Sequence, residues 1–277
     1  MKHGVSIFIQ TLDEEKNLPK CLECFKWSDD IVVLDSFSKD KTEEIAKFFG
    51  ARWIQHAYEG RAAHQNWAME NIEFKYPWVY YSDADEIVPS ALADEILQVT
   101  ADSSRPEVAY HIRRRDHFMG KWIKNSSQYP LWYVRLFKPD KIRWSRKANP
   151  VPTIDGPVGW LKNDFLHYPL SKGLYDWLWR HNRYSSYEAE ETIRSLNAKD
   201  LKFEELFSFD SIKRRRALKI LSFRLPGRPL LKFLYMYLLR MGLFDGSPGF
   251  HYCLLQAFYE YQIVLKVREL RALEERR

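Results

Sequence analysis

Acidic side chains follow apolar runs at three places in the first hundred residues of this sequence. Asp83, Asp85 and Glu86 stand within four residues directly after one run, and Asp13 and Asp35 follow two earlier ones. Carboxylates this close repel one another unless a cation or a network of donors neutralises them. Hard divalent ions such as Mg²⁺ and Mn²⁺ prefer oxygen ligands, and they take one or two carboxylates together with substrate phosphates. The Asp-x-Asp pattern therefore predicts a clamp for a metal ion and a diphosphate.

The elements that must position these side chains alternate between strand and helix. Residues 5–9, 31–34, 51–55 and 78–82 are short apolar runs typical of strands, and helical patterns lie between them. Repeated βα units predict an α/β fold with a parallel sheet and right-handed crossovers. In such sheets ligands bind beyond the carboxyl ends of the strands, which is where the acidic clusters fall. A surface loop of acidic helix caps is the alternative explanation of the same residues.

The pattern changes after residue 106. Between residues 107 and 200, short extended pieces stand among Pro, Gly and Asn turns, and a helix rich in Trp and Tyr follows them. This pattern predicts a sheet extension with mixed strand directions. We therefore expect three segments, at residues 1–106, 107–200 and 201–277.

The excess positive charge is confined to the C-terminal end. The chain of 277 residues has a net charge of +6, and residues 203–277 hold 14 Lys and Arg against 8 Asp and Glu, which accounts for the whole excess. Residues 213–232 include eight basic residues and no acidic one, and large apolar residues then recur at helical spacing. This combination predicts amphipathic helices that lie on an anionic membrane. A helical cap with a solvated charged face and a nucleic-acid site are the alternatives, and the many aliphatic residues disfavour nucleic acid.

The apolar run at residues 230–239 is not expected to cross a bilayer, because a spanning helix needs about 20 apolar residues. The N-terminal residues lead directly into a strand pattern, so we expect no signal peptide. Three cysteines are too few for a disulfide framework and indicate a reducing cytosol. Cys21 and Cys24 lie in a helical pattern at residues 15–27, and we expect them to pack against the core.

Four stretches together resemble the family 2 inverting glycosyltransferases. They are VSIFIQTLDEEKNL at residues 5–18, VLDSFSKDKT at 33–42, GRAAHQNWAM at 60–69 and DADE at 83–86. Arg135-Leu136-Phe137 and GLFDGSPGF at residues 242–250 are similar to a subgroup of lipopolysaccharide-core β-glucosyltransferases and exopolysaccharide transferases. The resemblance extends over essentially the whole chain.

The resemblance implies a GT-A fold, in which residues 1–106 bind a nucleotide sugar and residues 107–200 face the acceptor. The implied reaction moves a hexose, expected to be glucose, from a UDP-sugar with inversion to a lipid-linked saccharide such as a lipopolysaccharide core or an exopolysaccharide precursor. It implies Mg²⁺ or Mn²⁺ as cofactor. From the expected absence of a signal peptide and the basic, apolar C-terminal segment, we expect a cytoplasmic protein that is peripheral on the inner membrane. A polyprenyl-phosphate sugar transferase is the alternative enzyme, and a non-catalytic membrane scaffold that kept the nucleotide fold is the alternative outside enzymes.

The resemblance also assigns roles by position. The residues expected to contact the nucleotide are Thr11, Asp13, Glu14, Asp35, Arg61 and Asp83. Asp35 would accept from the uracil N–H, Asp83 would meet the ribose, and Arg61 would lie near the diphosphate. Asp85 would hold the metal ion, which stabilises the charge of the leaving diphosphate.

Two positions depart from the family pattern. Asp13 stands where the family usually has Asn, and this adds a charge to an acidic site. Inversion needs a group that takes the acceptor proton, and the Val-His-Glu element that is common in the subgroup is missing here. Asp155 is the carboxylate nearest that position and is our predicted base. The alternative bases are Asp116, His117 and Glu86, and His167 is expected either to contact substrate or to be structural.

Overall fold

The computed structural model describes residues 4–145, 150–197 and 227–275. The chain divides into two compact units, residues 1–172 and 173–277. The segment boundary predicted after residue 106 falls inside the first unit, because strands on both sides of it join one sheet. The boundary predicted after residue 200 lies outside the described residues, as do residues 213–226 of the basic stretch.

The first unit contains eleven strands within the described residues. They are β1 (Val5–Thr11), β2 (Ile31–Asp35), β3 (Arg52–Gln55), β4 (Trp78–Asp83), β5 (Glu86–Ile87), β6 (Ala109–Phe118), β7 (Lys121–Trp122), β8 (Leu131–Phe137), β9 (Ile142–Ser145), β10 (Val151–Ile154) and β11 (Val158–His167). Nine of these strands form one sheet in the order β3-β2-β1-β4-β8-β6-β11-β5, with β7 paired to β6. The other two, β9 and β10, form an antiparallel pair.

Strand directions place one set of strand ends together. β1 runs parallel to β2 and to β4, and β2 runs parallel to β3. β8 lies antiparallel between β4 and β6, and β11 runs parallel to β6. The carboxyl ends of β1, β2, β4, β6 and β11 therefore lie along one edge of the sheet. We call this edge, with the loops that follow these strands, the rim.

Helices cover both faces of the sheet in the first unit. They are α1 (Leu18–Glu23), α2 (Thr42–Phe48), α3 (Arg61–Asn71) and α4 (Ser90–Ala101). One buried cluster joins α1 and α4 to side chains such as Ile7 and Val33, and a second joins α3 to side chains such as Phe8 and Leu34. Because successive strand residues point to opposite faces, burial on both faces requires the continuous apolar runs seen in the sequence. The predicted class, an α/β protein with a mainly parallel sheet and a mixed extension, is confirmed.

The second unit is helical within its described residues. It contains α5 (Leu174–Asn197), α6 (Arg228–Leu234), a π-helical turn (Tyr235–Leu239), a short 3₁₀ helix (Gly242–Asp245) and α7 (Gly246–Glu275). The predicted C-terminal helices are thus present. Among the described residues, no helix has both the length and the apolar character needed to span a membrane.

The three cysteines are free thiols, and Cys21 packs in the core beneath the sheet. Its Sγ lies 3.9 Å from Ser82 Oγ. The helix that carries it, Leu18–Glu23, is shorter than the predicted residues 15–27, and the backbone N–H groups of Glu14 and Glu15 donate instead to side chains of Thr42 and Asp40.

His64 on α3 makes the stability of the protein sensitive to acid. Its side chain is buried, and its Nδ1 lies 3.3 Å from His56 Nδ1. Burial and the nearby His56 lower the pKa of His64 to about 4. The unfolded chain, with an ordinary histidine pKa of about 6.5, therefore binds a proton before the folded chain does as the pH falls. The contribution of His64 to the free energy of unfolding is fully present above about pH 6.5. It falls by roughly 3 kcal/mol as the pH decreases from about 6.5 to 4.

Urea unfolding measured at intervals from pH 7 to pH 4 checks this expectation. His64→Gln should flatten the fall in unfolding free energy over that interval, whatever its effect at neutral pH. His251→Gln, at an exposed position, is the matched control and should leave the slope unchanged. Equal slopes in wild type and His64→Gln would contradict the assignment.

Candidate functional site at the rim

The loops after β1 and β2 are tied together by hydrogen bonds. Asp13 N donates to Ser38 Oγ over 2.8 Å, and Lys39 N donates to Asp13 Oδ1 over 2.7 Å. Asp13 has a φ of 54°, a left-handed conformation that Asp and Asn tolerate better than most residues. An amide oxygen accepts from Lys39 N as well as a carboxylate does, so Asp can replace the usual Asn without loss of this loop contact.

Asp35 is fully buried at the end of β2. Its Oδ1 accepts from Thr11 Oγ1 over 2.9 Å, and its Oδ2 accepts from Ser38 N over 2.7 Å. Ser38 Oγ donates to Oδ1 as well, and Gln55 Nε2 lies 3.4 Å from Oδ2. Thr11 and Asp35 are therefore brought together as predicted from their strand ends. Contact of either residue with a uridine stays a prediction.

Glu14 is half-buried beside a lysine that is distant in sequence. Its Oε1 accepts from Lys172 Nζ over 2.8 Å, and its Oε2 accepts from Asn17 Nδ2 over 2.7 Å. Burial raises the pKa of Glu14, and Lys172 opposes this rise. Lys172 Nζ also lies 3.2 Å from the carbonyl oxygen of Asp13. Lys172 thus holds the loop that follows β1.

Asp83 lies at the end of β4 between two arginines. Its Oδ2 is 2.5 Å from Arg61 Nη2 and 2.8 Å from Arg135 Nη2, and its Oδ1 accepts from the Tyr81 hydroxyl over 2.5 Å. Burial alone would raise the pKa of Asp83, but Arg61 and Arg135 outweigh it and hold the pKa well below its usual range. Arg61, predicted to lie near a diphosphate, is thus placed beside the Asp-x-Asp turn.

Arg135 is the buried centre of this charge cluster. It is 4% exposed, it pairs with Asp83 and with the fully buried Glu86, and its guanidinium lies 4.5 Å from the centre of the Tyr81 ring. Burial raises the pKa of Glu86 to about 7, although Arg135 opposes the rise. A charge in this position is stable only while its partners are present.

His167 connects Asp85 to a second buried carboxylate. Its Nδ1 lies 2.5 Å from Asp116 Oδ1, and its Nε2 lies 3.6 Å from Asp85 Oδ2. Asp116 also pairs with Arg114, whose Nε is 2.9 Å from Asp116 Oδ1. Burial and Arg114 disfavour the imidazolium, but Asp85 and Asp116 outweigh them and raise the pKa of His167 to about 9. Burial likewise opposes ionisation of Asp116, but the pKa is lowered by His167 and Arg114.

Much of the acidic charge at the rim is therefore balanced by protein groups. The carboxylates are Asp83, Asp85, Glu86 and Asp116, and the cations paired with them are Arg61, Arg114, Arg135 and protonated His167. This arrangement explains how the cluster is stable in the folded chain before any ligand binds. The sequence allowed for a cation or a donor network, but it did not identify Arg114, Arg135 and His167 as the cations that pair with these carboxylates.

The residues present fit a metal ion with few protein ligands. Among the described residues, no group of three or more His, Cys, Asp or Glu side chains forms a metal site. Asp83 and Glu86 are held by arginines, whereas Asp85 faces His167 Nε2. One carboxylate, with an imidazole that can join it after losing a proton, suits an ion whose other ligands are diphosphate oxygens and water.

Asp155, the predicted base, does not lie at the rim. It precedes β11, whereas His167 ends that strand, and the ten residues of β11 place its two ends about 30 Å apart. Its side chain is 85% exposed and lies 3.2 Å from Lys141 Nζ. Asp155 is thus a turn residue after β10. The sequence did not reveal this, because the distance depends on the direction in which β11 enters the sheet.

The alternative bases lie nearer the rim. Asp116 and Glu86 are buried and ion-paired. His117 is half-buried, and its ring stacks on Tyr168 at 5.3 Å between ring centres. His117 makes no ion pair among the residues that the structure describes.

Sequence reasoning did not anticipate the ion pairs that Arg135 and Lys172 make at the rim. Arg135 stands in the apolar strand sequence LWYVRLF, and a buried arginine in such a run requires a carboxylate partner. That signal was available. Lys172 gives no comparable signal, because 158 residues separate it from Glu14.

In α/β proteins with a mainly parallel sheet, ligands bind beyond the carboxyl ends of the strands, where the charged side chains of the rim lie. Residues 6–167 match the profile of the family described as "Glycosyl transferase family 2", and this match covers more than half of the chain. The chain belongs to glycosyl transferase family 2. The resemblance to family 2 glycosyltransferases stated from the sequence is therefore confirmed.

Two relatives match nearly the whole chain. The lipopolysaccharide core biosynthesis glycosyltransferase LpsC of Rhizobium meliloti is 27% identical, and the match covers 99% of this chain and 96% of LpsC. An uncharacterized glycosyltransferase of Rickettsia typhi is also 27% identical, over 96% of this chain and 87% of the relative.

Two solved structures show weaker likeness to this chain. S. aureus TarS residues 1–349 are 12% identical with a TM-score of 0.44, over 97% of this chain and 91% of that one. Glucosyl-3-phosphoglycerate synthase from Mycobacterium tuberculosis, solved with Mn²⁺, UDP-glucose and phosphoglyceric acid, is 21% identical with a TM-score of 0.34, over 41% of this chain and 44% of that one.

Proposed function

We propose that this glycosyltransferase moves a hexose, with glucose as the first candidate, from a UDP-sugar with inversion to a lipid-linked saccharide of the lipopolysaccharide-core type. The observation that carries the proposal is the set of polar side chains from three neighbouring strand ends, which stand where an α/β sheet binds its ligand. Similarity to LpsC along nearly its full length supports the acceptor class.

In this proposal the two cross-linked loops hold the uridine. Thr11, Asp13 and Asp35 supply the acceptor groups, and Glu14 with its partner Lys172 borders the same loop. The pairing of Asp35 with backbone and hydroxyl donors orients its carboxylate. Preorganised polar groups of this kind lower the free energy needed to order the site when the nucleotide binds.

Asp83 and Arg61 lie at the adjacent strand end, where we place the ribose and the diphosphate. Arg61 is 2.5 Å from Asp83 and its side chain is 41% exposed, so its guanidinium can reach a ligand while it stays at the turn. Asp85 would hold Mg²⁺ or Mn²⁺, and such an ion stabilises negative charge on the leaving diphosphate.

The acceptor proton requires a base at the same rim. We assign this role to His117, which is half-buried beside Tyr168 and lies next in sequence to Asp116 at the end of β6. A glutamine at position 117 should lower kcat by roughly a hundredfold while the KM for the donor changes little. An unchanged kcat for His117→Gln contradicts the assignment.

Transfer assays test the function itself. The purified full chain is incubated with Mn²⁺ and one of several UDP-sugars, with delipidated lipopolysaccharide core, lipid-linked saccharide extract or polyprenyl phosphate as acceptor. Products are identified by mass spectrometry and the anomeric configuration by NMR. We expect UDP release that depends on a hexose donor and a saccharide acceptor, with inversion. Transfer to polyprenyl phosphate alone supports the alternative enzyme, and absence of both transfer and donor hydrolysis supports the scaffold.

A further inference from the structure

The outward face of α7 is apolar between residues 250 and 265, about half of the length of the helix. Five large apolar side chains recur at intervals of three or four residues and are between 38% and 50% exposed. They are Phe250, Leu254, Phe258, Tyr261 and Leu265. At a rise of 1.5 Å per residue, this stripe extends for about 22 Å.

The opposite face of α7 carries smaller residues. Gly249, Cys253 and Ala257 are buried at intervals of four residues, and Ile263 continues the buried face. A surface helix of a globular domain normally buries its large apolar side chains and exposes polar ones. In α7 the large apolar side chains are outside and mostly small ones are inside. This arrangement leaves a large apolar surface exposed to water, which is unfavourable. A large exposed apolar surface on a folded protein indicates a binding partner for that face.

The apolar surface continues onto α6 and the π-helical turn, which pack against α7. Phe233 and Tyr237 contact Phe250 with ring centres 5.8 Å and 5.7 Å apart, and Arg228 pairs with Glu260 at 2.7 Å. Six further apolar side chains here are 37% to 76% exposed: Leu230, Leu231, Leu234, Tyr235, Leu238 and Leu239. We call these six side chains and the stripe on α7 the apolar surface of the second unit.

The positive charge of the neighbouring sequence favours anionic lipid over a second copy of the chain as the partner of this surface. The sequence leading into α6 is strongly basic, with eight Lys and Arg and no Asp or Glu in residues 213–232. Two copies of such a sequence repel each other, whereas anionic lipid headgroups attract it. Aromatic rings beside aliphatic side chains also suit the boundary between headgroups and acyl chains.

We propose that the apolar surface of the second unit binds an anionic lipid bilayer, with α7 lying in the plane of the headgroups and its outer stripe buried among the acyl chains. This proposal does not rest on the transfer reaction, because binding to lipid can be measured without substrate. It assigns the predicted membrane association to particular side chains on α6, the π-helical turn and α7.

Flotation of the purified full chain with vesicles tests the proposal. Vesicles of phosphatidylcholine alone are compared with vesicles that contain phosphatidylglycerol. The triple variant Leu254→Ser, Phe258→Ser, Leu265→Ser should bind anionic vesicles at least about tenfold more weakly, because three large side chains no longer enter the acyl region. Raising the salt from about 0.1 M to about 1 M should weaken binding by wild type, because the headgroup attraction is screened.

Matched variants separate loss of lipid contact from loss of fold. The triple variant Leu254→Met, Phe258→Leu, Leu265→Met keeps the stripe apolar and should bind within about twofold of wild type. Phe48→Ser with Met119→Ser removes exposed apolar side chains from the first unit and should also leave binding unchanged. Circular dichroism and thermal unfolding verify that each variant is folded.

Two results overturn the proposal. One is equal vesicle binding by wild type and the serine triple variant when both are folded. The other is a wild-type dimer in light scattering that the serine triple variant converts to a monomer while vesicle binding is unaffected, since that outcome assigns the surface to a second copy of the chain.

Discussion

Replacement of Asp85 by Asn is expected to lower kcat for sugar transfer by roughly a thousandfold, because a metal ion contributes several kcal/mol of charge stabilisation to the departing diphosphate. Asn has nearly the same shape as Asp but no charge, so the substitution removes the ion's anionic ligand with little change in packing. Asp85 Oδ2 lies 3.6 Å from His167 Nε2, so His167 also loses a counter-charge. UDP release at saturating Mn²⁺ and donor is the measurement.

Asp155→Asn is the matched control for Asp85→Asn. Asp155 is an exposed carboxylate of the first unit at the opposite end of β11, so its removal should change kcat by less than about twofold. Titration with Mn²⁺, followed by the paramagnetic relaxation of water, provides a readout without turnover. Undiminished transfer by folded Asp85→Asn would show that Asp85 does not hold a catalytic ion. A large loss in Asp155→Asn would restore Asp155 as a candidate base.

Arg135→Met is expected to destabilise the first unit by about 3–5 kcal/mol, because removal of one partner leaves buried carboxylates without compensation. Glu86 is fully buried, and Asp83 shares the same guanidinium. Met fills a similar volume, so the effect of packing is small. The unfolding free energy is measured by urea titration at neutral pH.

A double-mutant cycle identifies the cause of that loss. Arg135→Met combined with Glu86→Gln removes the buried charge along with its partner, so the double variant should be more stable than Arg135→Met alone. Arg105→Met is the control, since Arg105 forms an exposed pair with Asp102 and its loss should change stability by less than about 1 kcal/mol. Strict additivity of the Arg135 and Glu86 substitutions contradicts the ion-pair explanation.

Local pattern predicted the strands that build the rim. Residues 31–34 form a continuous apolar run, and β2 is buried on both faces as such a run requires. Asp35 directly follows this run, and Asp83 directly follows the run at residues 78–82. The placement of both aspartates at strand ends could therefore be predicted from the lengths of the two runs. Their meeting at one edge followed from the parallel direction that βα units impose.

Partners distant in sequence could not be predicted in the same way. Arg135 reaches Asp83 because β8 enters the sheet antiparallel to β4, and Asp116 reaches His167 because β6 and β11 lie side by side in register. These pairings depend on strand order, which no local periodicity encodes. The same dependence on strand order explains the position of Asp155. This residue is close in sequence to the expected place of the base, but the direction of β11 places it at the opposite end of the strand from the rim.

The amino-acid sequence by itself determined the fold class and the strand ends that carry the acidic residues, because apolar periodicity is a local property, and its motifs carried the resemblance to the family. Only the tertiary structure decided which cations neutralise those residues, which carboxylates are excluded from the rim, and that large apolar side chains of α7 point outward. Each of these depends on the three-dimensional neighbours of a side chain, and burial and charge compensation act between neighbours in space.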